Sequence, residues 1–204
     1  MNWLAHLLLS DPTPACRIGN LLPDFLRGQA LLSLPTLPAA YQRGIALHLE
    51  IDRFTDAHPI FRRSLARYNP PWRRYGGILT DIFYDHFLAA QWEQYSETPL
   101  DDFIDEVHTA IDLCRAEIPP VAFARLDQLR RDDRLRSYRH IDGIRTTLER
   151  MDQRLRKPVG LESSIAELHL HYEGLRADFE EFFPLLSAHL IDAAPRSEHD
   201  DRLR

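Results

Sequence analysis

Glycine is scarce in this chain, with eight among 204 residues. That argues against a sheet protein, whose turns and bulges need glycine and whose strands favour β-branched residues. The helix formers Leu, Arg, Ala and Glu are abundant instead, so the composition predicts an all-α fold. Two cysteines, Cys16 and Cys114, are too few for a disulfide framework and lack zinc-site spacing. Both read as reduced, partly buried thiols. No apolar run approaches the roughly 20 residues needed to cross a membrane. The opening stretch lacks a positively charged start and is interrupted by His6, so it does not read as a signal peptide. The expectation is a cytoplasmic protein with no membrane partner. Also missing are the Walker loop, G-x-G-x-x-G, H-E-x-x-H and G-x-S-x-G, which argues against the common nucleotide, zincin and serine-hydrolase sites.

What is present divides unevenly along the chain. Residues 1–100 carry nine Lys/Arg and nine Asp/Glu, whereas 101–204 carry the remaining 16 and 22, so the whole net charge of −6 lies in the second half. Between Ala57 and Gly77 stand Arg62, Arg63, Arg67, Arg73 and Arg74, with no acid among them. A local basic surface on an acidic protein suits an acidic protein partner better than nucleic acid, for which broader positive charge is expected. A solvated arginine-rich loop explains the same pattern on charge alone.

Periodicity and breakers predict six to eight helices in one domain over 1–193, followed by a polar, frayed tail at 194–204. A short apolar helix at 2–9 ends at Asp11-Pro12-Thr13-Pro14. A second segment over 15–28 is interrupted at Pro23, and a Pro35/Pro38 connection leads to a helix over 39–57. Further helices are expected at 76–95, 100–116, 120–135, 138–156 and 161–191, the last kinked or broken by Pro184. The C-terminal half reads as scaffold.

Polar residues that solvation does not easily explain cluster in the first 90 positions. Gly44, His48, Asp52, Thr55 and Asp56 share one stripe of the 39–57 helix, with neighbours roughly 5–6 Å apart. A His and an Asp one turn apart can share a divalent cation, or one can orient the other. In the 76–95 helix, Asp81, Asp85 and His86 sit among Ile78, Leu79, Ile82, Phe83, Phe87 and Leu88. Burying them there is costly unless a metal or hydrogen bonds satisfy them. Asn2-Trp3-Leu4-Ala5-His6 and Gly19-Asn20-Leu21-Leu22-Pro23-Asp24-Phe25 add a His and an Asp on short, proline-bounded segments. One His–Asp pair alone is more often a surface interaction; two such helices with His6 and Asp24 favour a metal centre. Mixed His/carboxylate ligation suits Mn²⁺, Fe²⁺ or Zn²⁺. His169 and His171, two positions apart, diverge on a helix and read as packing or surface. Trp3, Trp72 and Trp92 read as core or interface rather than a base-stacking platform.

At these residues the chain resembles the acyl carrier protein phosphodiesterase family. The resemblance rests on Met1-Asn2-Trp3-Leu4-Ala5-His6-Leu7, Gly19-Asn20-Leu21-Leu22-Pro23-Asp24-Phe25-Leu26-Arg27-Gly28, the G-x-x-x-H-x-x-x-D-x-x-T-D helix, and Asp85-His86-Phe87-Leu88 followed by Trp92. It runs in order from Met1 to about Tyr95, with a weaker echo at His171-Tyr172 and Phe182/Phe183-Pro184. It implies an all-helical fold distantly like HD-domain phosphohydrolases. It also implies Mn²⁺-supported hydrolysis of the phosphodiester joining 4′-phosphopantetheine to a serine of holo-acyl carrier protein. One departure matters: HD enzymes have His followed directly by Asp, whereas the adjacent pair here runs Asp85-His86, so their ligand assignments do not transfer. The expected metal shell is Asp24, His48, Asp52 and Asp85, with Asp81, His86 and His6 nearby. His6 or His86 is the candidate general acid, and Arg27 or Arg53 the candidate grip on the diester. Arg62, Arg63, Arg67, Arg73 and Arg74 are the expected docking residues. Rival readings are an HD-like phosphohydrolase acting on a nucleotide or other small phosphoester, and a non-catalytic helical module that binds an acidic partner.

Overall fold

A computed structural model describes residues 1–193, apart from the side chain of Gln29. The predicted tail at 194–204 lies outside the described residues. Among those described, the chain is all helical. It has ten α-helices: α1 Trp3–Leu8, α2 Pro14–Phe25, α3 Ala39–Ala57, α4 Pro59–Leu65, α5 Gly76–Ala90, α6 Leu100–Leu113, α7 Pro120–Arg131, α8 Arg134–Ser137, α9 Ile141–Asp152 and α10 Ile165–Ala193. Short 3₁₀ turns cover Gly28–Thr36, Trp72–Tyr75, Trp92–Gln94 and Leu161–Ser164. The expected six to eight helices become ten because the basic stretch after Ala57 forms α4, and because α8 splits from α7 where Asp133 adopts the left-handed conformation. No helix among the described residues is long and apolar enough to cross a membrane.

Prolines punctuate less than the sequence suggested. Pro14 opens α2, where its missing N–H costs nothing. Pro23 lies inside the last turn of α2, and Pro184 inside an α10 that runs on to Ala193. Each removes one hydrogen bond, but burial of Phe25 beside the first, and of Phe182, Phe183 and Leu186 around the second, holds the helix in place.

Helix α5 is the axis of the core: Leu79, Ile82, Phe83, Tyr84, Phe87 and Leu88 are buried on all its sides. An α10 stripe of Leu175, Phe179, Phe182 and Phe183 packs against it, with Tyr84 and Phe179 edge to face at 5.4 Å between ring centroids. Because α5 is enclosed, its polar residues must be satisfied inside the protein. Asp85 is: its carboxylate accepts the main-chain N–H groups of Leu4 at 2.7 Å and Ala5 at 3.1 Å. It caps α1, whose own N-cap residue Asn2 makes no side-chain cap bond.

The closest helix pair is α2 with α3, and two glycines permit it. A Cβ on Gly44 would lie 2.1 Å from the carbonyl oxygen of Cys16, and one on Gly19 would lie 2.4 Å from that of Tyr41. Backbone therefore rests on backbone, and the polar ends of the two helices are brought into register. Gly44→Ala is expected to cost about 1–3 kcal/mol through overpacking. Chemical denaturation measures this; an unchanged midpoint would contradict so tight a crossing.

Candidate active site

The α2/α3 crossing makes one residue, Asn20, the organiser of two imidazoles. Its main-chain carbonyl accepts from His48 Nδ1 at 2.7 Å, and its side-chain Oδ1 accepts from His6 Nδ1 at 2.8 Å. Its own amide nitrogen donates to the carbonyl of His6 at 2.9 Å and to Ser10 Oγ at 2.8 Å, which fixes the direction of the amide. The two rings stack with centroids 4.4 Å apart. With both Nδ1 atoms held as donors, both Nε2 atoms reach the same carboxylate: Asp52 lies 3.3 Å from His6 Nε2, which also meets the Met1 carbonyl at 3.2 Å, and 3.2 Å from His48 Nε2. Asp24 approaches from the end of α2, 3.8 Å from His48 Nε2, and is held by Trp3 Nε1 donating at 3.1 Å.

This centre opens into a cleft of about 440 Å³. It is lined by polar Asp24, Arg27, Asp52, Asp56 and Asp81 and by apolar Ile78, Ile82, Met151, Leu155 and Leu161. Asp81 reaches the cleft one turn before Asp85, its carboxylate 2.9 Å from the main-chain nitrogen of Met1.

The electrostatics follow from burial opposed by close partners. Burial disfavours charge on His48, but the Asp52 hydrogen bond and the Asp24 and Asp52 charges outweigh it and raise its pKa. Burial also opposes charge on Asp52, yet hydrogen bonds from His48 and His6 hold its carboxyl well below the usual carboxylate range. Asp85 is pushed up to about 7 by burial, against the pull of the two N–H groups that it caps.

A neutral imidazole whose Nδ1 carries the hydrogen presents a lone pair at Nε2. Two such lone pairs facing one carboxylate require a proton or a cation between them. The donor set of imidazole and carboxylate suits a divalent ion, and neighbouring ligands at about 2.1 Å from one ion lie about 3.0–3.4 Å apart. The spacings at Asp52 match that range. Among the described residues no group of three or more His, Cys, Asp or Glu side chains surrounds a ready-made metal position. The donors instead contact one another, so an ion would enter by replacing those contacts.

The predicted site residues thus divide. His6, Asp24, His48 and Asp52 converge, and Arg27 and Asp81 line the same cleft. Asp85 is a helix cap with both oxygens engaged. His86, about 100° further round α5, donates from Nδ1 to the Tyr138 carbonyl at 2.8 Å and meets the Tyr172 hydroxyl at 3.1 Å with Nε2. It lines a different depression with His140 and His169. Arg53 is exposed on the far side of α3 and pairs with Glu50. Of the expected docking arginines, Arg63 and Arg67 hold the buried carboxylate of Asp178 at 2.7 and 2.8 Å, and Arg63 also pairs with Glu181. Arg62, Arg73 and Arg74 are exposed.

Sequence reasoning assigned no role to Asn20, whose only signal was its place beside Gly19, nor to Trp3 as an Asp24 ligand. It also missed Arg125, Arg134 and Arg154, which join Arg27 beside Asp24 in a concavity continuous with the cleft.

Two oriented imidazoles and two carboxylates in a cleft flanked by arginine are the residue types that hydrolysis of a phosphate ester would use. Comparison with known proteins agrees. The profile of the family described as acyl carrier protein phosphodiesterase matches residues 1–186. A relative from Enterobacter sp. (strain 638), named acyl carrier protein phosphodiesterase, is 34% identical over 186 residues, covering 90% of this chain and 94% of its own. Another of that name from Salmonella agona (strain SL483) is 33% identical over 189 residues, covering 92% and 96%. The chain belongs to the acyl carrier protein phosphodiesterase family, a family of hydrolases. No solved structure matches it, so the distant HD-domain likeness draws no support from that side.

In metal-free protein the raised pKa of His48 contributes stability that is full below about pH 6.5 and is lost as pH rises through the folded-state value. The lowered Asp52 carboxyl contributes stability present above about pH 4 and lost as pH falls through its folded-state value. In Asp52→Asn, His48 loses the Asp52 hydrogen bond and charge and keeps only Asp24 and the Asn20 carbonyl against burial, so the decline above pH 6.5 should shrink. Urea unfolding of EDTA-treated protein from pH 5 to 9 measures this; identical slopes in both proteins would refute the coupling.

Proposed function

We propose that this enzyme hydrolyses the phosphodiester between 4′-phosphopantetheine and the serine of holo-acyl carrier protein, yielding the apo protein and free 4′-phosphopantetheine. The observation that carries the reading is the convergence of His6 Nε2 and His48 Nε2 on Asp52, beside Asp24 and Arg27. Family membership supports the carrier-protein substrate.

Asp24, His48 and Asp52 would hold a divalent cation, Mn²⁺ in our reading, with Asn20 fixing the His48 ring so that Nε2 points inward. When bound, such an ion polarises the phosphoryl group and lowers the pKa of attacking water toward ~7. Arg27, at the cleft edge, binds a non-bridging phosphoryl oxygen and neutralises the charge that gathers there. The attacking water gives up its proton to solvent, and as the bond from its oxygen to phosphorus forms, the bond from phosphorus to the serine oxygen breaks. The leaving serine oxygen takes a proton from His6, whose Nε2 lies 3.3 Å from Asp52 in the same centre. His86 lines a separate depression with His140 and His169, away from Asp24 and Asp52, which favours His6 over it as the acid. The apolar residues in the cleft lining, Ile78, Met151, Leu155 and Leu161, suit the pantetheine arm.

Intact-protein mass spectrometry of holo-acyl carrier protein tests the reading. Incubation with the enzyme and Mn²⁺ should remove about 340 Da, one phosphopantetheine by its covalent formula, and EDTA should prevent it. Asp24→Ala and His48→Ala should each lower turnover by at least about 10²-fold with helical content unchanged. A fully active Asp24→Ala protein would overturn this site.

A further inference from the structure

The cleft does not end at Asp24. Past Trp3 it continues into a concavity of about 380 Å³ where Arg27, Arg125, Arg134 and Arg154 come together from the end of α2, from α7, from α8 and from the segment after α9. Trp3, Asp24, Arg27 and Arg154 line both spaces, so the arginines and the Asp24–His48–Asp52 centre share one surface.

These guanidiniums differ in how they are held. Arg134 is buried, bridged to Asp132 at 2.6 Å, with its Cζ 5.8 Å from the centroid of Trp3. It is part of the wall. Arg125 donates to the main-chain carbonyl of Phe25 at 2.5 Å. Among the described residues, Arg27, Arg125 and Arg154 have no Asp or Glu oxygen within 4.0 Å. Partial burial and then the charges of Arg134, Arg125 and Arg27 lower the pKa of Arg154, and the more distant Asp132 only partly offsets them. Like charges held this close on a protein of net charge −6 are stabilised by an incoming anion.

We propose that this arginine concavity, rather than the Arg62–Arg74 stretch, docks the acidic helical face of the carrier protein, with Arg125 and Arg154 as its principal contacts; this rests on the phosphodiesterase reading above. The concavity adjoins the phosphate centre through Trp3, Asp24, Arg27 and Arg154, so a protein whose scissile serine sits at that centre rests against these arginines. The competing stretch is weakened because Arg63 and Arg67 are engaged by Asp178 and Glu181. Nucleic acid is a poorer occupant, since the positive surface is one concavity on an acidic protein and not a track for a phosphate backbone.

The test compares wild-type enzyme with Arg125→Glu/Arg154→Glu and with Arg62→Glu/Arg73→Glu/Arg74→Glu. Substrates are holo-acyl carrier protein and a short phosphopantetheinyl-serine peptide without acidic residues; apo carrier protein serves as a binding probe. The double variant should raise KM for the carrier at least tenfold and lower the ratio of carrier to peptide kcat/KM by a similar factor. The triple variant should shift that ratio less than twofold. An unchanged carrier KM in the double variant, or a tenfold loss in the triple variant, overturns the assignment. If wild-type enzyme cleaves neither substrate, the phosphodiesterase reading fails separately. Binding of apo carrier protein, and its weakening at least tenfold by the double variant, then still decides the docking surface. Binding of a 20-nucleotide RNA that is lost in the double variant, with carrier binding unaltered, would assign the surface to nucleic acid and reject the proposal.

Discussion

The backbone contact between α2 and α3 governs the rest of the molecule. Gly19 and Gly44 allow two helices to touch where any side chain would hold them apart, and the carbonyl of Asn20 thereby reaches the ring of His48. A separation greater by one methyl group would break that bond and free the imidazole to rotate. The same residue's amide fixes His6 from the other side. Catalytic groups must be held to about 0.5 Å of productive geometry, and sites on rigid helices achieve this better than sites on loops. Here the precision comes from two absent side chains.

The charges around this contact fall into two kinds. Those facing inward answer one another: His6 and His48 against Asp52, Asp85 against the N-terminus of α1, Asp178 against Arg63 and Arg67. A buried ion held by several partners is costly to leave unpaired, which is why these groups hold the fold as well as poise the centre. Those lining the cleft mouth are left facing solvent without acidic partners, as in the Arg27, Arg125 and Arg154 concavity. The first kind keeps the shape of the cleft, and the second gives it a field that an anionic partner can follow.

Much of this was legible in the sequence because helices announce themselves locally. The i, i+4 spacing of His48 and Asp52 predicted their meeting, and glycine scarcity predicted an all-α chain. Where sequence reading failed, the deciding contact was long-range. Asp81, Asp85 and His86 sit close together on one helix, yet they face a cleft, a helix terminus and a pair of tyrosines, because different parts of the chain pack around α5. Arg63 and Arg67 had no acid near them in sequence; Asp178, more than 100 positions away, supplies one. Arg125 and Arg154 are ordinary surface arginines until α7 and the segment after α9 close over α2. Asn20 carried no chemical signal, since a carbonyl and an amide that orient other groups leave no distinctive residue pattern.

The central claim is that His48, oriented by Asn20 and flanked by Asp24 and Asp52, is where the divalent cation binds. Pulsed electron paramagnetic resonance of Mn²⁺-loaded protein tests this directly, because it detects nitrogen nuclei bonded to the ion. The account predicts a coupled histidine nitrogen that disappears in His48→Gln and persists in His86→Gln. A nitrogen coupling that survives in His48→Gln and vanishes in His86→Gln would contradict it, as would no nitrogen coupling at all.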